Sequence, residues 1–291
     1  MKSLKHYIEE KLIIFPSQVD EKLVIFPSQV DEKLVIFPSQ VDEKLVINKN
    51  YSSGHSCKPK TIEELRTIIG QRIKDQGYGT EHDPISFNDI DTSEITTFES
   101  LFWNSKYDND ISKLKYIDVS DWDVSNVNNF RNTFYDCEEL VSVGDLSDWD
   151  MTNAENISGM FYFCKSLTNI GDLSNWNITN KLTNTSTMFC MCKSIKDIGN
   201  IGKWDMSNVK STVQMFMACS NLKNVGDLSN WDFTNVLAMS NMFWSCSSLK
   251  SIGNISKWKE PKAYKSDTTL YWHEIFTGSA IDAIPDWYMF N

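Results

Sequence analysis

The sequence predicts an α/β repeat solenoid of about seven coils, ~27 residues each, with a short strand and a short helix in every coil. Three observations predict it. First, four residue types keep one pitch. Trp recurs at Trp122, Trp149, Trp176, Trp204, Trp231 and Trp258, with spacings of 27, 27, 28, 27 and 27. Phe134, Phe161, Phe189, Phe216 and Phe243 keep the same pitch, each followed three residues later by Cys137, Cys164, Cys192, Cys219 and Cys246. Gly144, Gly171, Gly199, Gly226 and Gly253 complete the unit. A fixed period of this length marks stacked units, each of which buries its apolar face only against its neighbours. Second, Cys219, Leu222, Val225, Leu228 and Trp231 are spaced by three with mostly polar residues between them. This suits a short strand and turns with every third residue inward, and such strands would pair about 4.8 Å apart in a parallel sheet. Third, Met242 and Phe243 stand four and three residues before Cys246, the spacing of one helical turn.

The ends of the array are atypical, as a stack requires where it must close. Asp91 to Ile95 lines up with Asp123 to Val127, and Phe98 and Phe102 match Phe130 and Phe134 at an offset of 32. At the other end, Trp258 to Phe276 is six residues longer than Trp231 to Phe243, and the chain runs on to Ile284-Pro285-Asp286-Trp287. Before the array, Thr61 to Lys74 reads as a helix with Thr61 and Glu64 as a capping box and Gly77 and Gly79 at its end. Ile62, Leu65, Ile68, Ile69 and Ile73 share one face, so this helix is a candidate cap. Earlier still, Glu10–Asp20, Glu21–Asp31 and Glu32–Asp42 are near-identical 11-residue copies, and Glu43 opens a fourth. Pro16, Pro27 and Pro38 oppose a continuous helix. Short strands joined by Pro-Ser-Gln turns, or an unstructured arm, fit instead. The expected domains are residues 1–51 (repeat arm), 52–89 (helical cap), 90–258 (repeat array) and 259–291 (divergent last repeat and cap).

Composition bounds the function. Hydrophobic residues make up 41% and charged residues 23%, a balance that excludes a wholly disordered chain. Against 28 Lys and Arg stand 39 Asp and Glu, a net charge of −11 that repels phosphate backbones, so nucleic acid is not the expected partner. The apolar runs around Leu12 to Pro16 are far shorter than the roughly 18 residues of a membrane span. Neither a signal-peptide core nor an early lipid-attachment Cys is seen, so the chain as written is expected in the cytoplasm or on a virion. With four His and no P-loop, GxSxG, HExxH or dinucleotide motif, the expectation is a non-enzyme without catalytic residues, cofactor or metal.

Each ladder has two readings. The six Trp could form an aromatic ligand strip, but large apolar residues at strict pitch more often pack an interior, and that reading is favoured. The five Cys of the ladder lack the tight pairs of a structural zinc site, and seven Cys is an odd number for disulfides. Buried free thiols are the favoured reading, hence a structural ladder. Asp123, Asp150, Asn177, Asp205 and Asp232 share a phase with a following Ser or Thr and Asn, which is turn chemistry more readily than a calcium row.

The pattern M-F-x-x-C-x-x-L-x-x-I-G-D-L-S-x-W-D-x-S-N-V, carried over about residues 90–287, resembles the BspA-type leucine-rich-repeat surface proteins of bacteria, with similar repeats in mycoplasma lipoproteins and phage-encoded proteins. The resemblance implies a leucine-rich-repeat-like solenoid and a binding or adhesion role, often at a cell surface. The expected function is therefore a non-enzymatic module that recognises a protein or glycan. Its specificity would sit in segments that vary between coils, such as Lys181-Leu182-Thr183-Asn184 against Val236-Leu237-Ala238-Met239. The alternative is a structural or virion-associated protein that self-associates or docks through its 11-residue arm.

Overall fold

The computed structural model describes residues 13–14, 35–36, 56–103, 111–265, 272–282 and 284–288. The chain divides into two units, residues 1–58 with 89–91, and residues 59–88 with 92–291. In the first, strand β1 (Ile13–Ile14) pairs in parallel with β2 (Val35–Ile36), Ile13 facing Val35, two 11-residue periods along the chain. The Pro-Ser-Gln segments expected as turns lie outside the described residues. Further on, Cys57 bridges Ile90 in parallel, the Asp91 amide donates to the Cys57 carbonyl at 2.8 Å, and Lys58 pairs with Asp91 at 3.0 Å.

The second unit opens with helix α1 (Ile62–Gln76). Thr61 caps it by accepting the Glu64 amide at 3.2 Å, while the Glu64 carboxylate reaches back to the Lys60 amide at 2.7 Å. Gly77, at φ +79°, ends it by donating to the Ile73 carbonyl. Leu65, Ile69 and Ile73 are buried, and Ile62 and Ile68 are half-buried beside them.

Strand β3 (Ile85–Ser86) pairs in parallel with β4 (Ile117–Asp118). Beyond it, pairing between coils consists of single parallel bridges. One row runs Thr97, Asn129, Asn156, Asn184, Ser211 and Ala238, each bridged to the next, and a second joins Tyr116, Ser142 and Asn169. Successive 27-residue repeats therefore stack on one another in register.

The short helix expected at the M-F-x-x-C stretch does not form there, although three-residue 3-10 turns occur elsewhere in three coils, at Leu173–Asn175, Ile201–Lys203 and Ile255–Lys257. The reason lies in how the amides are shared. Along Phe130 to Cys137, alternate N–H groups go to different places. Asn132, Phe134 and Asp136 donate to Ser158, Met160 and Tyr162 of the next coil at 2.8–2.9 Å. Thr133, Tyr135 and Cys137 donate three residues back, to Phe130, Asn132 and Phe134, at 3.1–3.3 Å. The same alternation recurs at Gly159–Cys164, Thr187–Cys192 and Gln214–Cys219. It needs left-handed backbone at two positions four residues apart: Asn132 and Asp136, Gly159 and Phe163, Thr187 and Met191, Gln214 and Ala218, Asn241 and Ser245, all with φ between 56° and 66°. A helix would spend every amide inside the coil; this chain of turns releases half of them to hold the next coil.

The core lies along the stack. Phe102, Phe134, Phe161, Phe189, Phe216, Phe243 and Phe276 form a column of near-parallel rings with centroids 5.0–5.8 Å apart. Trp122, Trp149, Trp176, Trp204, Trp231 and Trp258 form a second column, each only 2–3% exposed. Each indole N–H donates to a carbonyl of the preceding coil, Trp149 to Val119 at 3.1 Å and Trp176 to Leu146 at 2.7 Å for example. The Leu146 carbonyl also accepts the Trp149 amide at 3.1 Å, so one oxygen closes a turn and ties down the next coil. The thiols repeat the device. Phe134 O accepts the Cys137 amide at 3.3 Å and the Cys164 Sγ–H at 3.0 Å, and Cys192, Cys219 and Cys246 likewise donate one coil back. All seven cysteines are buried, and the six from Cys137 to Cys246 are free thiols.

The repeated glycine follows from close approach. Gly171 and Gly199 sit at φ +80° and +78°, and a Cβ on either would collide with the carboxylate of Asp145 or Asp172 in the preceding coil. Those carboxylates are held by their own turns: Asp145 accepts the Ser147 amide at 3.0 Å, and Asp172 the Ser174 amide at 2.9 Å.

The stack is finished differently at its two ends. At the first coil, the Glu99 and Ser100 carbonyls receive Arg66 of α1 at 2.6 and 3.4 Å, and Arg72 donates to the Ser86 carbonyl at 2.7 Å. At the last coil, the Ile275 amide donates to the Tyr288 hydroxyl at 3.1 Å, and the Trp287 indole donates to the Trp258 carbonyl at 3.0 Å.

Candidate binding face

The repeat tryptophans, whose favoured reading is a packed interior and whose other reading is a ligand strip, are 2–3% exposed. All six repeat tryptophans are brought into line, but inside the coils, with their indole N–H groups committed to backbone carbonyls. A buried indole with a satisfied N–H offers no free face, because its hydrophobic area is worth more in the core. The Cys ladder is brought into line in the same way. Burial pushes the thiols of Cys137 and Cys246 up to about 12, and those of Cys164, Cys192 and Cys219 well above the ordinary value, so the ladder is a row of neutral donors. The Asp residues of the polar phase serve turns, Asp123, Asp150, Asp205 and Asp232 each accepting the amide two residues on at 2.9–3.0 Å, whereas Asn126, Asn153, Asn208 and Asn235 donate to carbonyls of the preceding coil at 2.7–2.8 Å. Among the described residues, no group of three or more His, Cys, Asp or Glu is placed to hold a metal ion.

A different set of side chains lines a groove of about 540 Å³: Trp103, Arg131, Asn132, Tyr135, Asn156, Ser158, Asn184, Ser186 and Thr187. It crosses four neighbouring coils. Its floor comes from the bridge row, in which Asn156 pairs with Asn184. Each of these asparagines uses its Oδ1 to accept the amide two residues on, Ser158 at 3.0 Å and Ser186 at 2.9 Å. That bond fixes the side chain, and the Nδ2 group has no partner among the described residues. Ser186 and Ser211 share a hydroxyl bond at 2.6 Å.

The wall of the groove is aromatic. Trp103 is 39% exposed and stands edge-to-face on Tyr135, with centroids 5.3 Å apart and planes at 70°. Tyr135 stacks on Tyr162 at 4.7 Å and 10°. The Tyr rings therefore face one another along the stack, while Trp103 turns its face sideways. Partial burial, then Cys190, Tyr135 and Asp136, raise the Tyr162 hydroxyl above its ordinary value, which keeps it a neutral donor. The one charged side chain in the lining, Arg131, is paired with Glu99 at 3.3 Å.

These aromatic residues were missed because they occupy the variable place after the repeat Phe: Trp103, Tyr135, Tyr162, Cys190, Met217 and Trp244. The signal was there, since four of the six are aromatic. Asn184 does fall in a segment expected to vary for specificity.

No helix among the described residues is long and apolar enough to cross a membrane. A comparison with curated proteins found no match. Among solved structures, the chain is similar to a leucine-rich repeat protein from Eubacterium ventriosum ATCC 27560, with 17% identity over 68% of this chain and a TM-score of 0.29. The match spans 38% of that protein's length. Residues 79–198 and 167–282, overlapping segments that together cover most of the stacked repeats, match the family described as "Mycoplasma protein of unknown function, DUF285", and the chain belongs to that family.

Proposed function

We propose that the chain is a non-enzymatic binding or adhesion module of the BspA-like, leucine-rich-repeat-like kind, a solenoid that presents one face to a ligand at a surface. The observation that carries this reading is the groove across four coils, with an exposed Trp on its wall and side-chain amides on its floor. The array supplies a rigid frame whose repeat positions are spent on packing, leaving the places between them free to vary. Attachment tests the reading. Labelled full-length chain is incubated with intact bacterial cells and with surfaces coated in extracellular-matrix protein, beside a Trp103→Ala/Tyr135→Ala variant. Retention by the chain and loss in the variant is the expected result. Equal retention of both, or retention of neither on every surface, counts against it.

A second reading, assembly or virion docking through the N-terminal arm, is favoured by one observation: β1 and β2, from different copies of the 11-residue repeat, pair in parallel. Copies that pair within a chain have the chemistry to pair between chains. Light scattering on the full chain and on a chain starting at Ser52 separates the readings, since only the full chain assembles if the arm is the device.

A further inference from the structure

We infer that the groove takes a neutral, linear glycan lying along the stacking direction, with a sugar face against Trp103 and hydroxyls on the side-chain amides of Asn156 and Asn184. The inference rests on the binding-module reading and names its ligand.

Charge decides the first part. The lining holds one ionic side chain, Arg131, already paired with Glu99, and the chain as a whole carries −11. An anionic polymer would meet repulsion without a free cation to receive it, and a cationic one would find no unpaired carboxylate in the lining. The remaining lining groups are amides, hydroxyls and aromatic rings, which suit an uncharged ligand rich in hydroxyls.

Geometry decides the second part. Asn156 and Asn184 both line the groove and are bridged neighbours on adjacent coils, so their side-chain amides repeat at the strand spacing of about 4.8 Å. An extended peptide rises ~3.4 Å per residue and presents carbonyls on one side only every ~6.8 Å, so it falls out of step with the floor within two coils. One pyranose unit is close to one coil in length and carries hydroxyls that accept at each step. The Ser158 hydroxyl, which also has no partner among the described residues, lies on the same floor. Protein partners favour apolar, dehydrated pockets, whereas this floor is polar throughout.

The aromatic wall supplies the third part. Tyr135, which lines the groove, spends a face on Tyr162, so that face is closed to a ligand. Trp103, at 70° to Tyr135, is the ring whose face runs alongside the stack, and it is the most exposed of the described tryptophans at 39%. A sugar lying along the stack would set its C–H face on that indole.

The test is calorimetric titration of the full-length chain with neutral cello-, xylo-, malto- and chito-oligosaccharides, from disaccharide to hexasaccharide, with oligogalacturonate as the anionic control. At least one neutral series should bind, and affinity should rise about tenfold between disaccharide and tetrasaccharide as further coils are engaged. Asn156→Asp and Asn184→Asp keep the Oδ1 that holds the turn and remove the donor. Each should weaken binding about tenfold with little change in melting temperature, and Trp103→Ala should abolish it. Three results overturn the inference: no neutral series binds at millimolar concentration, oligogalacturonate binds best, or the variants bind as the parent does. If the oligosaccharides fail while cell or matrix attachment is still lost in the Trp103→Ala/Tyr135→Ala variant, the ligand is a protein and the module reading stands. If both fail, both readings fall.

Discussion

The same coils carry two aromatic rows with opposite fates. The Trp122–Trp258 row is invariant in type, 2–3% exposed, and tied by its indole N–H groups to the backbone of the coil before. The row after the repeat Phe mixes Trp, Tyr, Cys and Met, is mostly half-exposed, and reaches an open groove at Trp103 and Tyr135. A side chain held at strict pitch here answers to packing and hydrogen bonding. A side chain allowed to vary at the same pitch answers to the outside. Repetition alone therefore marks the interior, and function has to be sought in the places where the repeat relaxes.

That contrast can be broken, and the largest effect should come from the interior as a whole. Burial pushes the Cys246 thiol from its ordinary 9.0 up to about 12, and Cys137 likewise. Below pH 9 the thiols are protonated in both folded and unfolded chains, so their contribution is fully present. As pH rises from about 9 towards 12 the unfolded chain ionises first, and stability is lost across that window. The urea midpoint should fall steeply there, and Cys246→Ala should flatten the fall. A thiol reagent should find almost no reactive cysteine in the native chain and all seven after denaturation.

Next in size, Trp204→Ala should cost about 3–5 kcal/mol of unfolding free energy, through the lost ring and the cavity it leaves. Trp204→Phe, which keeps a ring but leaves the Leu173 carbonyl one bond short, should cost about 1 kcal/mol beyond the change in packing. Denaturant titration of the two variants separates packing from hydrogen bonding.

A smaller loss is expected at Gly199, where left-handed backbone and the Asp172 carboxylate both oppose a side chain. Gly199→Ala should cost about 1–3 kcal/mol, read as a lower melting temperature. Smallest of all, Tyr135→Ala should change stability by no more than about 0.5–1 kcal/mol, because it removes part of a half-exposed wall. A loss there as large as at Trp204 would show that the outer row is structural too, and the contrast would fail.

Much of the stack can be read from residue order. The pitch, the inward position of every third residue from Cys219 to Trp231, and the α1 cap at Thr61 follow from spacing and residue type. The local conformation of the M-F-x-x-C stretch does not. Spacings of three and four residues suit a helical turn and a chain of three-residue turns equally well, and only the coil-to-coil bonds of Asn132, Phe134 and Asp136 decide between them. Those bonds join residues 26 positions apart and leave no local trace. The groove escaped for a related reason. Trp103, Asn156 and Asn184 come together only when four coils are laid side by side, and each sits at a place the repeat pattern leaves unspecified.

The two ends of the stack carry a consequence for how such a chain can lengthen. One end is closed by guanidinium groups on carbonyls and the other by a hydroxyl that receives an amide, so neither closure can stand in for the other. A coil duplicated between them meets, on both sides, the partners it already had. A coil cut from either end strands a row of backbone groups. Length can therefore change in the interior, by whole coils, and every added coil would extend the groove by one graduation, so that descendants of this chain would differ as rulers of different length differ.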